Sequence, residues 1–416
     1  MAPHSYYGED GRPYRIGQSI FGSMYGLEEA AALVKALAEK GNFSHGEDRP
    51  LFEKEFADYL GVKKVWAVHT ACSAINIATR LFRFEPGDEV ITTPITYIAT
   101  NLFLLKAGVV PVFADVDLRT LEIDPDKIAE LITDRTRGIY VSSYDGQMPD
   151  MDPILELAAK HGLYLFSDVA RAPGAEYKGR KAGSMADMAA FSFQTTKNMS
   201  TGEGGAIAIR DSDKWAGEAF HLRQVWGIKS ETSIEEEMLG DNYRLGELRA
   251  VLARVQLRKL DRFNEMRREN AYYLSKGLAE IEGVTPPYEA PNCKHIFHIY
   301  CAQIDSKGLA IKRDDFLRVL RHVEGIRCGS GNMPNYLYSY YRIRGYRPGL
   351  CPIAEEKWWY EMFTLPIHPA LTHDQLDLII EAVDRAVKKV KEGDFPSDLP
   401  PVRRPAGGIP LPSGIV

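Results

Sequence analysis

Residues 191–209 read FSFQTTKNMSTGEGGAIAI: an apolar run, a polar loop that carries Lys197, a glycine-rich turn and a second apolar run. Both runs are continuously apolar rather than alternating. This pattern is typical of strands buried on both faces of a largely parallel sheet. The stretch therefore predicts two buried strands joined by a loop that presents a lysine.

Five more apolar runs precede this stretch, and helix-like segments separate them. The seven predicted strands lie at 64–70, 88–94, 109–116, 138–143, 163–169, 188–193 and 204–209. The helix-like segments lie at 73–82, 98–106, 125–132 and 152–161. This alternation predicts an α/β fold with a mostly parallel, seven-stranded sheet, in which ligands bind at the carboxyl ends of the strands.

The remainder of the chain predicts a second, smaller domain. A long amphipathic helix is expected over 244–281, followed by a small α+β domain and a tail rich in Pro and Gly that we expect to be extended or disordered. The predicted divisions are 1–260 for the large domain with its N-terminal segment, 261–395 for the small domain and 396–416 for the tail.

Composition argues against several classes of protein. The 416-residue chain has a net charge of −6 and no basic stripe, which argues against a nucleic-acid partner. No run approaches the roughly 18 apolar residues that a membrane span needs. The five cysteines show no Cys-x-x-Cys spacing, and the N-terminus has no apolar signal core. We therefore expect a cytoplasmic protein without a metal, a disulfide framework or a membrane partner.

Asp168 and Lys197 suggest a specific chemistry. Asp168 ends one predicted strand, and Lys197 follows another. In a pyridoxal-phosphate enzyme, a lysine forms a Schiff base with the cofactor and an aspartate pairs with its ring nitrogen. Each residue alone has a plainer interpretation, because most lysines are surface residues and an aspartate after a strand is often a helix cap.

Neighbouring residues favour the cofactor interpretation. Ser192 precedes Lys197 on the same segment, and its hydroxyl can hold a phosphate. The segment 69–76, HTACSAIN, passes from a strand into a helix through small residues, so its backbone N–H groups can hold the same phosphate. Tyr97 follows a strand and can lie against a pyridine ring. A plain strand-to-helix turn and a packed aromatic are the alternatives.

In these motifs the chain resembles a known family, the pyridoxal-phosphate-dependent sugar aminotransferases of the DegT/StrS family. Members of this family have the aspartate aminotransferase (type I) fold. The resemblance covers about residues 41–372. The segments that carry it include GNFSHGEDRPLFEKEFADYLGV (41–62), GDEVITTPITYIAT (87–100), YDGQMPDMDPILELAAKHGLYLFSD (144–168), FSFQTTKNMSTGEGG (191–205) and DNYRLGEL (241–248).

The resemblance implies a set of site residues. It makes Lys197 the covalently attached catalytic lysine and Asp168 the partner of the ring nitrogen. The cofactor-binding residues that it implies are Cys72, Ser73, Tyr97, Asp168, Arg171, Ser192, Lys197 and Asn242. Asn242 matches an Asn that reaches the phosphate in the neighbouring subunit, which implies a homodimer with shared active sites.

Three positions depart from the family pattern. Arg171 stands where the family has a Gln that bonds the phenolic oxygen of the cofactor, and Arg171 can still donate to that oxygen. Its fixed charge would favour the phenolate. Pro173 and Ser143 replace His residues that are common in the family. These departures concern the substrate pocket rather than the cofactor.

The resemblance implies transfer of an amino group from L-glutamate or L-glutamine to a keto-sugar that is nucleotide-linked. Family members with His in place of the lysine are dehydratases, so Lys197 favours transamination. Gln194, where sugar enzymes often have His, mildly favours an aminocyclitol aminotransferase or a dehydrating or aromatising enzyme instead. A regulator that only keeps the fold is a fourth possibility.

His298 and Tyr336 are candidates for substrate contact. The strand spacing of KHIFHIY (294–300) places His295 and His298 on opposite faces, which argues against a metal pair. Tyr336 belongs to the aromatic, basic segment 332–349, which can contact a sugar or pack in a dimer loop.

Overall fold

The computed structural model describes residues 14–16, 22–39, 41–210, 213–224, 228–229, 234–235 and 239–402. The helices are α1 (Leu27–Glu39), α2 (Asp48–Leu60), α3 (Ala71–Leu81), α4 (Ala99–Lys106), α5 (Pro125–Leu131), α6 (Met151–His161), α7 (Asp213–Leu222), α8 (Glu247–Leu278), α9 (Arg313–His322), α10 (Ser339–Arg342), α11 (Pro352–Glu356) and α12 (His373–Glu392). The strands are β1 (Lys64–Val68), β2 (Glu89–Thr92), β3 (Val110–Phe113), β4 (Thr136–Ser142), β5 (Tyr164–Asp168), β6 (Glu176–Tyr177), β7 (Arg180–Lys181), β8 (Met188–Ser192), β9 (Gly205–Ile209), β10 (Ile228–Lys229), β11 (Ile234–Glu235), β12 (Val284–Thr285), β13 (Cys293–Lys294), β14 (Tyr300–Ile304) and β15 (Met362–Leu365).

A seven-stranded sheet forms the centre of the large domain, with the strand order β1-β9-β8-β5-β4-β2-β3. Strands β3, β2, β4, β5 and β8 pair in parallel, whereas β9 is antiparallel to both β8 and β1. Each of the seven predicted apolar runs overlaps one of these strands. The predicted α/β fold with a mostly parallel sheet is therefore confirmed.

Hydrophobic cores cover both faces of this sheet. One core packs Phe52 and Phe56 of α2 and Ile154 of α6 against strand residues such as Ile139. The core on the other face packs α3, α4 and α7 residues against strand residues such as Phe166. The strands are buried on both sides because helices cover both faces, which explains why their sequences do not alternate.

The small domain is α+β. Its three-stranded sheet has the order β12-β14-β15 and is antiparallel. This sheet packs with α9, α12 and the last turns of α8 around a separate core. Helix α8 contributes Leu260 to the large-domain core and Leu274 to the small-domain core, so the predicted division after residue 260 falls inside one continuous helix.

The described part of the tail follows α12 across α9. Arg318 donates hydrogen bonds to the carbonyl oxygens of Ser397 and Leu399, at 3.0 Å and 2.5 Å. Residues 396–402 are irregular, and the remainder of the predicted tail, 403–416, lies outside the described residues. None of the helices within the described ranges is long and apolar enough to cross a membrane.

Candidate functional site

A cavity of about 1140 Å³ opens where the parallel strands end, between the two domains. Because β4, β5 and β8 run in parallel, their carboxyl ends bring Ser142, Asp168 and Ser192 to the same edge of the sheet. The predicted site residues that line this cavity are Cys72, Tyr97, Asp168, Arg171, Ser192, Lys197 and His298. Seven predicted residues from separate segments of the chain therefore lie around one cavity.

Asp168 is fixed at the bottom of the cavity. It is the last residue of β5, and its side chain is only 5% exposed. The Ala170 N–H donates to Oδ1 at 3.1 Å, and the Thr100 hydroxyl donates to Oδ2 at 2.5 Å. Two donors on separate oxygens hold the carboxylate plane in one orientation.

Lys197 lies in the loop that joins β8 to β9. The loop is closed by hydrogen bonds from the Thr195 N–H to the Gly202 carbonyl and from the Thr201 N–H to the Phe193 carbonyl. Burial, and to a smaller extent the charge of Arg171, lower the pKa of Lys197 to about 7, while the charge of Asp168 acts in the opposite direction. A lysine with this pKa is partly unprotonated at neutral pH, as a nucleophilic amine must be.

Gly22 supports the lysine loop from below. Its N–H donates to the Thr195 carbonyl at 2.9 Å. A Cβ at this position would lie 1.9 Å from the Thr196 carbonyl oxygen and 2.3 Å from that of Lys197. The carbonyl of Gly22 in turn accepts a hydrogen bond from Arg267 of α8. The lysine loop therefore contacts a backbone segment that a buried cation holds in place. No other residue type fits at position 22 without moving the loop.

The turn between β1 and α3 places a helix N-terminus at the cavity. Thr70 is the N-cap, and its hydroxyl accepts from the Ser73 N–H at 3.2 Å. Gly205 lets β9 approach this turn, because a Cβ there would lie 2.5 Å from the Thr70 carbonyl carbon. Together with the Ser192 hydroxyl, the first turn of α3 offers donors suited to an anion such as a phosphate.

Arg171 projects into the cavity three residues after Asp168. Its Nη1 donates to the Tyr144 carbonyl at 3.0 Å, and its Nη2 donates to Asn332 Oδ1 at 3.4 Å. The guanidinium also lies over the Tyr144 ring, 5.2 Å from the ring centre. These contacts hold a fixed positive charge beside Lys197.

His298 lines the cavity as a neutral imidazole. Burial holds the pKa of His298 well below its usual range, and the charges of Lys197 and Arg171 add to the effect. Its Nδ1 lies 3.0 Å from Asn198 Oδ1. The Asn198 amide nitrogen already donates to Asn264, so Nδ1 of His298 carries the proton and donates to the Asn198 oxygen.

Three predicted residues do not line the cavity. Ser73 is buried, and its hydroxyl lies 2.9 Å from His69 Nδ1. Tyr336 is 0% exposed, and its hydroxyl donates to Glu355 and accepts from the Cys351 N–H. Asn242 is exposed, outside the cavity of its own chain.

His295 does not join His298. Its Nε2 lies 3.3 Å from Asp145 Oδ1, and both side chains are buried. Among the described residues, no group of three or more His, Cys, Asp or Glu side chains is arranged to hold a metal ion.

Sequence reasoning missed several residues at the site. Thr96, Glu203 and Asn332 line the cavity, and Thr100 lies directly behind Asp168. Thr100 follows Tyr97 by three positions in the same ITYIAT segment, and this spacing places the two on the same side of a helical turn. That spacing was the available signal for Thr100.

The donor set fits pyridoxal phosphate. A buried amine with a lowered pKa, a carboxylate held by two donors and an anion-binding helix N-terminus face one cavity. These match an aldehyde, a ring nitrogen and a phosphate, respectively. Tyr97 is 58% exposed at the open side, where a flat ring can be covered.

Comparison with known proteins gives consistent matches. The profile of the DegT/DnrJ/EryC1/StrS aminotransferase family matches residues 25–384, a range that includes every predicted site residue. The spore coat polysaccharide biosynthesis protein SpsC of Bacillus subtilis is 34% identical over 374 residues, which cover 88% of this chain and 96% of that protein. GDP-perosamine synthase of Caulobacter vibrioides is 34% identical over 337 residues, 81% of this chain and 89% of that protein. The crystal structure of S. venezuelae DesV in complex with a ketimine intermediate has a TM-score of 0.80 at 32% identity, over 88% of this chain and 95% of that one.

Proposed function

Because this chain belongs to the DegT/DnrJ/EryC1/StrS aminotransferase family and is a pyridoxal-phosphate-dependent aminotransferase, we propose that it transfers an amino group from L-glutamate or L-glutamine to a nucleotide-linked keto-sugar. The observation that carries this proposal is the placement of Lys197, with its lowered pKa, beside Asp168 in one cavity. The printed names of the relatives, a polysaccharide biosynthesis protein and a GDP-perosamine synthase, support a sugar acceptor.

Each residue of the site has a defined task in this proposal. Bound pyridoxal phosphate supplies a ring that withdraws electrons from the carbon that loses or gains a proton. Asp168 would keep the ring nitrogen protonated, and Ser192 with the first turn of α3 would hold the phosphate. Tyr97 would cover one face of the ring.

Lys197 moves the proton. Once the incoming amino group has displaced it from the cofactor, its Nζ can accept a proton from the donor carbon and deliver it to the cofactor side. A pKa of about 7 suits both directions near neutral pH, because neither protonation state dominates. Transfer to the acceptor uses the same atom in reverse order.

The charges of the cavity support an acceptor that bears phosphate. Arg321 and Arg327 line its small-domain wall. The carboxylates among the described lining residues, Asp168 and Glu203, belong to the large domain. Positive side chains on this wall suit the diphosphate of a nucleotide-linked acceptor.

We also propose a homodimer with shared sites, working in the cytoplasm. Asn242 is exposed and is not among the residues that line the cavity of its own chain, which leaves it available to a partner. Large apolar side chains of α1 are more than half exposed, including Leu27, Val34 and Leu37, and a second copy would cover them. The five cysteines are all unpaired, which supports a reducing compartment.

The test is the visible absorption of the purified protein with pyridoxal phosphate, before and after L-glutamate or L-glutamine. We expect a band from bound cofactor that one donor bleaches within a single turnover, because the amino group passes to the cofactor and stays there without an acceptor. A stable band that neither donor changes would point to dehydrating or aromatising chemistry instead. No band would contradict the proposal.

An aminocyclitol aminotransferase is the second candidate, favoured by Gln194, which lines the cavity where sugar enzymes often have His. The donor half of the reaction is the same for both candidates, so only the acceptor separates them. Recovery of the bleached band by a keto-inositol, with no response to nucleotide-linked keto-sugars, would favour this candidate.

A further inference from the structure

Three hydroxyl groups form a buried chain that ends on Asp168. The Thr100 hydroxyl donates to Asp168 Oδ2 at 2.5 Å and lies 2.9 Å from Thr96 Oγ1, and the Thr96 hydroxyl donates to Ser142 Oγ at 2.8 Å. Thr100 is 0% exposed. We call Ser142, Thr96 and Thr100 the hydroxyl chain.

The backbone around the hydroxyl chain is fixed as well. The carbonyl of Thr96 accepts hydrogen bonds from the side-chain amides of Asn332 and Asn335, each at 2.9 Å. Asn335 is fully buried and also bonds Asn101 of α4 at 3.0 Å. The turn that carries Thr96 and Thr100 is therefore held by hydrogen bonds to its backbone as well as by those of its side chains.

The hydroxyl of Thr100 has one proton and three acceptors within reach. Asp168 Oδ2 lies at 2.5 Å, Thr96 Oγ1 at 2.9 Å and the Tyr97 carbonyl at 3.0 Å. The shortest contact is to a carboxylate, and hydrogen bonds to charged acceptors are both shorter and stronger than those to neutral ones. The proton therefore lies towards Asp168.

We propose that Thr100 is a positioning residue for Asp168: its hydroxyl orients the carboxylate that pairs with the ring nitrogen of the cofactor. The proposal rests on the proposed function, since it takes Asp168 as the partner of that nitrogen. Thr100 is not among the residues that line the cavity, so it acts through Asp168 alone.

The test is Thr100→Val, which keeps the shape of the side chain and removes its hydroxyl. We expect the dissociation constant for pyridoxal phosphate, measured by equilibrium dialysis, to rise about tenfold, because a hydrogen bond to a charged group is lost. Thr100→Ser keeps the hydroxyl and should bind as the unchanged protein does. An unchanged dissociation constant for Thr100→Val would overturn the proposal.

A matched control separates positioning from a loss of stability. Thr79 is 3% exposed, and its hydroxyl bonds the buried Tyr140 hydroxyl at 3.0 Å. We expect Thr79→Val to lower the midpoint of thermal unfolding without changing cofactor affinity. Equal losses of affinity in both variants would mean that Thr100 is merely structural.

A cofactor analogue tests the route of the effect. In 1-deazapyridoxal phosphate a carbon replaces the ring nitrogen, so Asp168 has nothing to pair with. Thr100→Val should bind this analogue as tightly as the unchanged protein does, and a tenfold loss with the analogue would contradict the proposal.

An Asp168→Ala variant distinguishes a failure of the role proposed for Thr100 from a failure of the role proposed for Asp168. If it weakens cofactor binding and Thr100→Val does not, only the role of Thr100 fails. If Asp168→Ala leaves binding intact, the role of Asp168 in the proposed function fails.

Discussion

At the scale of single residues, Lys197 and Arg171 form a charge pair of the same sign. The positive charge of Arg171 disfavours the protonated form of Lys197, in addition to the larger effect of burial. This is consistent with the pKa of Lys197 lying near 7 rather than at its usual value of 10.5. The presence of Arg171, where the family pattern has Gln, therefore affects how readily Lys197 loses its proton.

Arg171→Gln should raise the pKa of Lys197, because the nearby positive charge is removed. With a rise of about one unit, the unprotonated fraction at pH 7 would fall from about one half to about one tenth. We therefore expect slower attachment of pyridoxal phosphate to the cofactor-free protein at pH 7, with a rate profile between pH 6 and 10 displaced upward.

The control for this prediction is Arg171→Lys, which keeps the charge and should keep the profile near its original position. A profile for Arg171→Gln with the same midpoint as the unchanged protein would show that burial alone sets the pKa of Lys197.

At the scale of elements, the segment ahead of α1 and the lysine loop act as one unit. The unit is fixed by the hydrogen bond from Gly22 to Thr195 and by Arg267, which also donates to the carbonyls of Phe297 and Ile367. Burial lowers the pKa of Arg267 to about 9. One buried cation thus connects three chain segments near the cavity.

Gly22→Ala should displace the lysine loop, because the new Cβ would overlap two carbonyl oxygens. We expect the donor-driven bleaching of bound cofactor to slow by about a hundredfold, the cost of misplacing a reacting group by roughly 1 Å. Stopped-flow absorbance measures this rate directly.

Gly26→Ala is the matched control for Gly22→Ala. A Cβ at Gly26 would meet only a side-chain oxygen of Glu29, at an ordinary 3.9 Å. This variant should bleach at the original rate, and a wild-type rate for Gly22→Ala would refute the role of the close contact.

Elements differ in how far the sequence predicts them. The strands and α8 could be predicted because their apolar patterns are set by burial. The direction of β9 could not, since an apolar run carries no sign of antiparallel pairing. The helix predicted over 152–161 begins one residue earlier, at Met151, and its N-cap Asp150 makes no capping hydrogen bond through its side chain.

At the scale of the whole molecule, Asn242 bears on assembly. If it serves a partner, an Asn242→Ala variant and a Lys197→Ala variant each damage both sites of their own homodimers. Mixed dimers would contain one site with both residues intact. We therefore expect co-refolded mixtures to regain activity, up to about one quarter of the unchanged enzyme.

The donor-driven bleaching of bound cofactor measures this complementation. Size-exclusion chromatography establishes whether dimers form. The activity of the Lys197→Ala and Asn242→Ala proteins, mixed without refolding, provides the baseline. Activity that never exceeds this baseline, despite formation of mixed dimers, would show that Asn242 works within its own chain or not at all.

The placement of Asp168 and Lys197 in one cavity could be predicted because one ends a strand and the other lies in the loop that follows a strand. It could not be predicted where the direction of a side chain depends on distant contacts. Tyr336 points into the core because Glu355 accepts its proton, and Ser73 turns towards His69. Neither partner is marked by any local pattern in the sequence.

The continuity of α8 has a mechanical consequence. This helix has 32 residues, about 48 Å at 1.5 Å per residue, and both cores are built on it. A second bridge, the pairing of β13 with β6, spans the same division. Two rigid connections in parallel resist hinge rotation, because opening the domains would bend a packed helix and break a strand pair. We therefore expect the width of the space between the domains to change little when a ligand enters it.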